Sequence, residues 1–128
     1  MSIQQQILDA VAALIDAQSN YATVVYGSLP DANGLCLAPS AGSVNETTLS
    51  HGGTYSMQCV LNGKHSNQGT VRDTLFKIHE ALNKIIVCPS GTGWAVTGIS
   101  TSSAAGYIDH EEDQWLYGSS ITIDYTID

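Results

Sequence analysis

The end of the chain, YGSSITIDYTID, alternates apolar and polar side chains. Ile121, Ile123, Tyr125 and Ile127 fall on one side, and Thr122, Asp124 and Thr126 on the other. A period of two among β-branched and aromatic residues marks a strand with one buried face. A second extended run, GWAVTGISTSS at residues 93–103, precedes it and is weakened by Gly98. Between the two lie Asp109, His110, Glu111, Glu112 and Asp113. Strands on both sides of a short charged stretch predict a long antiparallel hairpin with an acidic tip. The apolar face of such a hairpin needs a covering layer, so the rest of the chain has to supply helices or a second sheet.

Residues 3–17 read as a helix. Ile3, Ile7, Ala10, Val11 and Leu14 follow the spacing of one buried stripe, and Ser19-Asn20 ends it. YATVVYG, at residues 21–27, is a strand closed by Gly27, and residues 30–34, PDANG, form a turn. LCLA at residues 35–38 reads as a short returning strand stopped by Pro39. Residues 40–53 are loop-like, with an extended piece near 45–49.

TYSMQCVLN, at residues 54–62, alternates again. Tyr55, Met57, Cys59 and Leu61 share a face, which makes Cys59 a buried structural thiol. Residues 62–69 read as a polar linker. A second helix begins at Thr70, with Asp73 placed as in a capping box. Its stripe is Val71, Leu75, Ile78, Leu82 and Ile85, with Asp73–Lys77 and Glu80–Lys84 as i,i+4 pairs. Pro89 and Gly91 terminate it, and His79 sits at the edge of the stripe as a packed, half-exposed side chain. The order α-β-β-β-α-β-β describes an α+β domain. An N-terminal and a central helix pack on one face of a mostly antiparallel sheet, in a single domain spanning residues 1–128.

Composition narrows the function. Only 12% of residues are charged, against roughly 25% in an average soluble domain. The polar surface is therefore largely neutral and inexpensive to desolvate, which favours burial against copies of itself or other proteins. Four Lys and Arg stand against 12 Asp and Glu, a formal net charge of -8. Gripping phosphates needs clustered cations, so direct nucleic-acid binding is not expected, whereas an acidic surface lets nucleic acid slide past. Cys36, Cys59 and Cys88 are widely spaced with no CxxC pair, which predicts reduced thiols and no zinc site. No basic region precedes a long apolar run, and none approaches the roughly 18 residues of a membrane span, so a soluble chain is expected.

The acidic stretch admits three chemical readings. As a calcium site it lacks the alternate spacing and central Gly of an EF-hand loop. As an acid/base pair it offers carboxylates solvated alike, with no nucleophile motif beside His110. His51, His65, His79 and His110 show no ligand spacing. SHGG at residues 50–53 is a four-residue echo of an oxyanion loop, and PSGTGW lacks the phosphate-loop pattern. As a solvated hairpin tip, the acids keep the end soluble and block edge pairing, and in a ring of copies they gather into an acidic collar. The third reading needs the fewest assumptions. No catalytic residue, metal site or cofactor is expected.

GTVRDTLFKIHEALNKI followed by TSSAAGYIDHEEDQWLYGSSITIDYTID resembles the tail-terminator and minor-capsid, head–tail joining proteins of long-tailed bacteriophages and prophages. The shared features are the helix pattern Leu75, Ile78, Leu82, Ile85, the acid-rich turn at Asp109 to Asp113, the aromatic Trp115, Tyr117-Gly118 and the terminal strand. The likeness covers the whole layout and is most specific over residues 70–128. The cysteines and the Gly/Ser-rich strand segments depart from it.

The resemblance implies a non-enzymatic structural virion protein in the tail or neck, assembled in the bacterial host cytoplasm. It implies a homo-oligomer, commonly a hexameric ring, that closes the tail tube, meets the head connector and passes DNA without binding it specifically. Asp109, His110, Glu111, Glu112, Asp113 and Trp115 are then the candidate interaction residues. The alternative is a small acidic ligand-binding or accessory domain encoded by a prophage, with an enzymatic role among its options. A concave pocket with convergent polar groups would distinguish it.

Overall fold

A computed structural model describes residues 3–18, 20–27, 29, 33–39, 45–46, 53–85 and 87–127, and the structural statements below concern these residues. The order is α1 (Ile3–Asp16), β1 (Val24–Tyr26), β2 (Gly34–Pro39), β3 (Asn45–Glu46), β4 (Gly53–His65), α2 (Gln68–Asn83), β5 (Ser90–Gly91), β6 (Trp94–Glu111) and β7 (Gln114–Ile127). This is the expected α+β order, with the two-residue strands β3 and β5 added. The strands form one sheet in the order β1-β2-β4-β7-β6-β5, with β3 alongside β4.

Every strand pair is antiparallel except β1–β2, where Val24, Val25 and Tyr26 run parallel to Leu35, Cys36 and Leu37. The short returning strand expected at residues 35–38 is therefore a parallel neighbour of β1. Apolar patterning is the same for either direction. Tethers to α1 hold β1 in place: Val24 N–H donates to Asp16 Oδ1 at 2.9 Å, and the Tyr26 hydroxyl donates to Asp9.

The core is a single cluster between the helices and one face of the sheet. Ile7, Val11 and Ile15 of α1 and Val71, Leu75, Ile78 and Leu82 of α2 close over Leu35, Leu37, Met57, Cys59, Leu61, Ile121, Ile123 and Tyr125. Cross-strand register explains the sharing of a face. Cys59 is opposite Ile121, Met57 opposite Ile123 and Tyr55 opposite Tyr125. Behind α1 the Ile15 carbonyl accepts from both Gln18 N–H at 3.1 Å and Asn20 Nδ2 at 2.8 Å.

Several local boundaries differ from the sequence reading. Residues 62–65 continue β4 to His65, and only Ser66 and Asn67 separate it from α2. Asn67 is the N-cap: its side chain accepts from Thr70 N–H at 3.0 Å, so the helix starts two residues before Thr70 and no capping box involves Asp73. Lys77 does not reach Asp73. Its ammonium donates to Gln18 O at 3.1 Å, and Asp73 meets Arg72 at 3.2 Å. Glu80–Lys84 forms as expected, at 2.7 Å. The helix ends at Asn83, well before Pro89, where β-branched Ile85 and Val87 follow outside it.

Candidate functional site: the C-terminal hairpin and its groove

The hairpin is longer than its sequence signals suggest. β6 runs through the small residues of positions 100–106 and the acidic stretch as far as Glu111. Glu112 and Asp113, with φ of 48° and 63°, form the two-residue turn. Two consecutive left-handed residues match the right-handed twist of the strands in such a tight connection. The ladder is irregular at four points: Val96/Gly98, Thr101/Ser103, Ser103/Gly106 and Tyr107/Asp109. Thr97, Ser102 and Ile108 thus have no residue opposite them in the ladder, and Ala104 and Ala105 together face Ser119. β5 covers only the first two residues of β6. Beyond them β6 is a sheet edge among the described residues, and its bulges and charged end are devices that discourage indiscriminate pairing.

The five ionisable tip residues are all exposed; Asp109, Glu111 and Glu112 border one depression, while His110 lies on the other face. Asp109 pairs with Leu116 and Glu111 with Gln114, on the face away from the helices, beside Lys64 in a shallow depression of about 130 Å³. His110 lies on the other face, its ring stacked on Trp115 with centroids 3.8 Å apart and planes 5° from parallel. Tyr107 packs against both Trp115 and Tyr117, and Gln68 Nε2 donates to the Tyr117 hydroxyl at 2.8 Å. The base of the tip is fixed to the sheet's far side: Asn33 N–H donates to Gln114 Oε1 at 2.9 Å, and Asn33 Oδ1 accepts from Ser66 N–H at 3.1 Å. Among the described residues no group of three or more His, Cys, Asp or Glu is placed to hold a metal ion.

His79 departs from the half-exposed position expected of it: only 6% of its surface is accessible. Its Nε2 lies 2.7 Å from Ser119 Oγ and its Nδ1 2.9 Å from Thr101 Oγ1. The Ser119 hydroxyl donates to Leu61 O at 2.7 Å, so its oxygen accepts from His79 and the proton of the neutral ring sits on Nε2. Nδ1 then accepts from Thr101, whose oxygen accepts from Asn83 Nδ2 at 2.9 Å, while Asn83 Oδ1 takes Thr101 N–H at 3.1 Å. The chain of bonds joins α2 to β6, β7 and β4. Its polarity is wrong for a nucleophile and base, because the serine proton is committed to a backbone carbonyl.

Burial lowers the imidazole's proton affinity below its ordinary 6.5. The unfolded chain binds this proton more readily than the folded one, so the stabilisation is complete above about pH 6.5 and declines as the pH falls below it. Urea midpoints measured from pH 8 to pH 5 should fall across that window, and His79→Gln should flatten the slope there. An unchanged slope in the variant would show that other groups control it.

Beside this chain of bonds an open groove of about 440 Å³ runs between α2 and the edge of β6, lined by Phe76, Lys84, Ala104 and Ala105 among others. Sequence reasoning did not anticipate it. The available signal was Phe76, a large aromatic lying off the α2 stripe, and the groove floor is the Ala104–Ala105 bulge, which period-two patterning does not register.

The motifs that the sequence reading set aside as sites are structural or lie outside the described residues. PSGTGW is a two-residue hairpin that seats Trp94: a Cβ on Gly91 would meet that ring at 2.6 Å, and Trp94 Nε1 donates to Gln6 Oε1 at 3.0 Å. SHGG falls mostly outside the described residues. Cys36, Cys59 and Cys88 are free, and Cys59 is fully buried in the core as expected. Burial pushes the thiols of Cys36 and Cys59 up, that of Cys59 to about 12, which leaves both protonated and inert. Among the described residues no helix is long and apolar enough to cross a membrane.

The layout has a counterpart among solved structures. The chain shares its fold with a component of the virion of a native gene transfer agent particle. The two superpose with a TM-score of 0.56 at 16% sequence identity, over 95% of this chain and 90% of that one. No protein-family model matches the sequence, and no curated protein matches it.

Proposed function

We propose that this chain is a non-enzymatic structural protein of a phage-like virion. In this reading it forms a ring, most simply a hexamer, that closes the tail tube, meets the head connector and lets DNA through. The observation that carries the proposal is the near-complete overlap in fold with a gene transfer agent virion component. The exposed tip residues Asp109, His110, Glu111, Glu112 and Asp113, with Trp115 behind His110, are the surface offered to neighbours. The acidic balance suits a channel for DNA, since like charge prevents adhesion. A ligand-binding role is less well supported, because the polar groups nearest the groove, His79, Thr101 and Asn83, are already bonded to one another.

Light scattering over a concentration series, followed by negative-stain imaging with and without purified tail tubes, tests the ring. Closed rings are expected, free or seated on tube ends; a monomer that never caps a tube would overturn the proposal. Replacing Asp109, Glu111, Glu112 and Asp113 by Asn or Gln should leave the melting temperature within a few degrees, because no tip carboxylate forms an ion pair within 4.0 Å among the described residues. The same variant should alter assembly or head–tail joining. If it unfolds, the acids are structural and the interaction surface lies elsewhere.

A further inference from the structure

The two halves of β6 are held in different ways. Trp94, Val96 and Ile99 are buried in the core, with at most 7% of their surface accessible. Thr101 follows as an anchor to α2: Asn83 Oδ1 accepts from its N–H at 3.1 Å, and its hydroxyl lies 2.9 Å from His79 Nδ1. From Ser102 to Glu111 no residue is buried, and all but Ala105 are exposed. The large side chains that this half lays on β7 stay mostly in water. Tyr107, against Tyr117, is 57% exposed, and Ile108, over Gly118, is 52% exposed. Three of the four irregularities of the ladder also fall here, between Thr101 and Asp109.

β7 does not share this weakness. From Trp115 to Gly118 its other side pairs with His65 to Asn62 of β4, so it keeps one regular ladder without β6. Ser119 is buried and donates to Leu61 O at 2.7 Å, and Gln114 Oε1 accepts from Asn33 N–H at 2.9 Å. The cost of a local opening is set by the apolar surface and the bonds given up. A ladder with exposed bonds and few buried contacts lies at the low end of that scale.

We propose that residues 102–111 form a strap that leaves β7 as a unit while the rest of the domain stays folded, with Thr101 as its hinge. In the closed form Tyr107 packs on Trp115 and Tyr117, and His110 stacks on Trp115. Opening carries Tyr107 and His110 away, uncovers both rings and frees the backbone groups of β7 that face β6 between Gln114 and Ser120. Asp109, His110 and Glu111 ride on the strap, so the surface at the tip has two forms. The opening is a property of a single chain; only its use at a contact between subunits rests on the virion reading.

Hydrogen exchange read residue by residue tests the strap. Amides bonded across the β6–β7 ladder from Ser103 to Glu111 are expected to exchange at least about 100-fold faster, after correction for intrinsic rates, than those near Ile99 and Ile123. Their rates should change little in low urea, because the opening exposes little surface. Equal protection along the whole ladder, with one common urea dependence, would overturn the proposal. Asp109→Cys combined with Leu116→Cys places two thiols opposite each other, where a disulfide can pin the strap. The oxidised form should slow the fast amides at least about tenfold, and reduction should restore their rates. Fast exchange that persists after oxidation does not come from release of the strap, and sinks the idea. Asn83→Ala removes the anchor, so the ladder at Thr101 and Ile121 should join the fast class while that at Val96 and Tyr125 stays slow. If the Thr101–Ile121 ladder keeps its protection in this variant, Thr101 is not the hinge.

Discussion

Ile123→Ala is expected to lower the unfolding free energy by about 2–5 kcal/mol. Ile123 is fully buried on β7, between Met57 of β4 and Ile99 of β6. The two neighbouring strands and the helices above fix its surroundings, so little collapse can fill the space left by the side chain. Domains of this size are typically stable by about 5–15 kcal/mol, so the loss removes a large share of the total. Urea denaturation should show a lower midpoint with an unchanged slope. Ile127→Ala, at the half-buried end of the same strand, should cost much less. Equal losses at the two positions would show that β7 does not form the centre of the core.

Gly63→Val should be comparably damaging for the opposite reason. Gly63 is buried on the helix side of β4, and a Cβ there would lie 2.9 Å from Leu35 Cδ2, 3.0 Å from the Tyr21 hydroxyl and 3.1 Å from Val71 Cγ2. Overfilling a packed site costs about 1–3 kcal/mol before any bond is lost. Here bonds are also at risk: the Tyr21 hydroxyl shares its one proton between the carbonyls of Gly34 at 2.9 Å and Lys64 at 3.0 Å, which ties the start of β2 to β4. Thermal melts should show a larger drop for valine than for alanine at this position. If the two variants melt together with the wild type, the ring of Tyr21 does not occupy the space above Gly63.

The same glycine shows why part of the fold was hidden from the sequence. β7 is legible because one face is buried along most of its length, so its alternation is clean. β4 is legible only as far as Asn62. Beyond it, NGKH looks like a linker because the core-facing position is a glycine whose space is filled by side chains from three distant segments. The far half of β6 is obscured differently: its bulges shift the period, and its residues are small or charged. Asn67 is a strong N-cap, but within a polar run it looks like part of a linker, which shifts the expected start of α2 to Thr70. His79 needed partners from β6 and β7 to become a buried residue, and no local pattern reports a tertiary bond.

At the candidate site, the acidic tip and Trp115 could be read directly from residue type. The groove and the His110–Trp115 stack arise from pairing between strands far apart in the chain, so residue type alone could not locate them.

The bulges of β6 bear on how this chain can change over evolutionary time. In a regular strand, inserting or deleting one residue turns every following side chain to the wrong face. β6 already accommodates unmatched residues at four places against a regular β7, so a length change can be taken up at the nearest irregularity without inverting the strand on either side. Relatives of this chain should therefore vary in length within β6 while keeping β7 constant, and the reach of the hairpin arm can be retuned to a new neighbour while the core stays as it is.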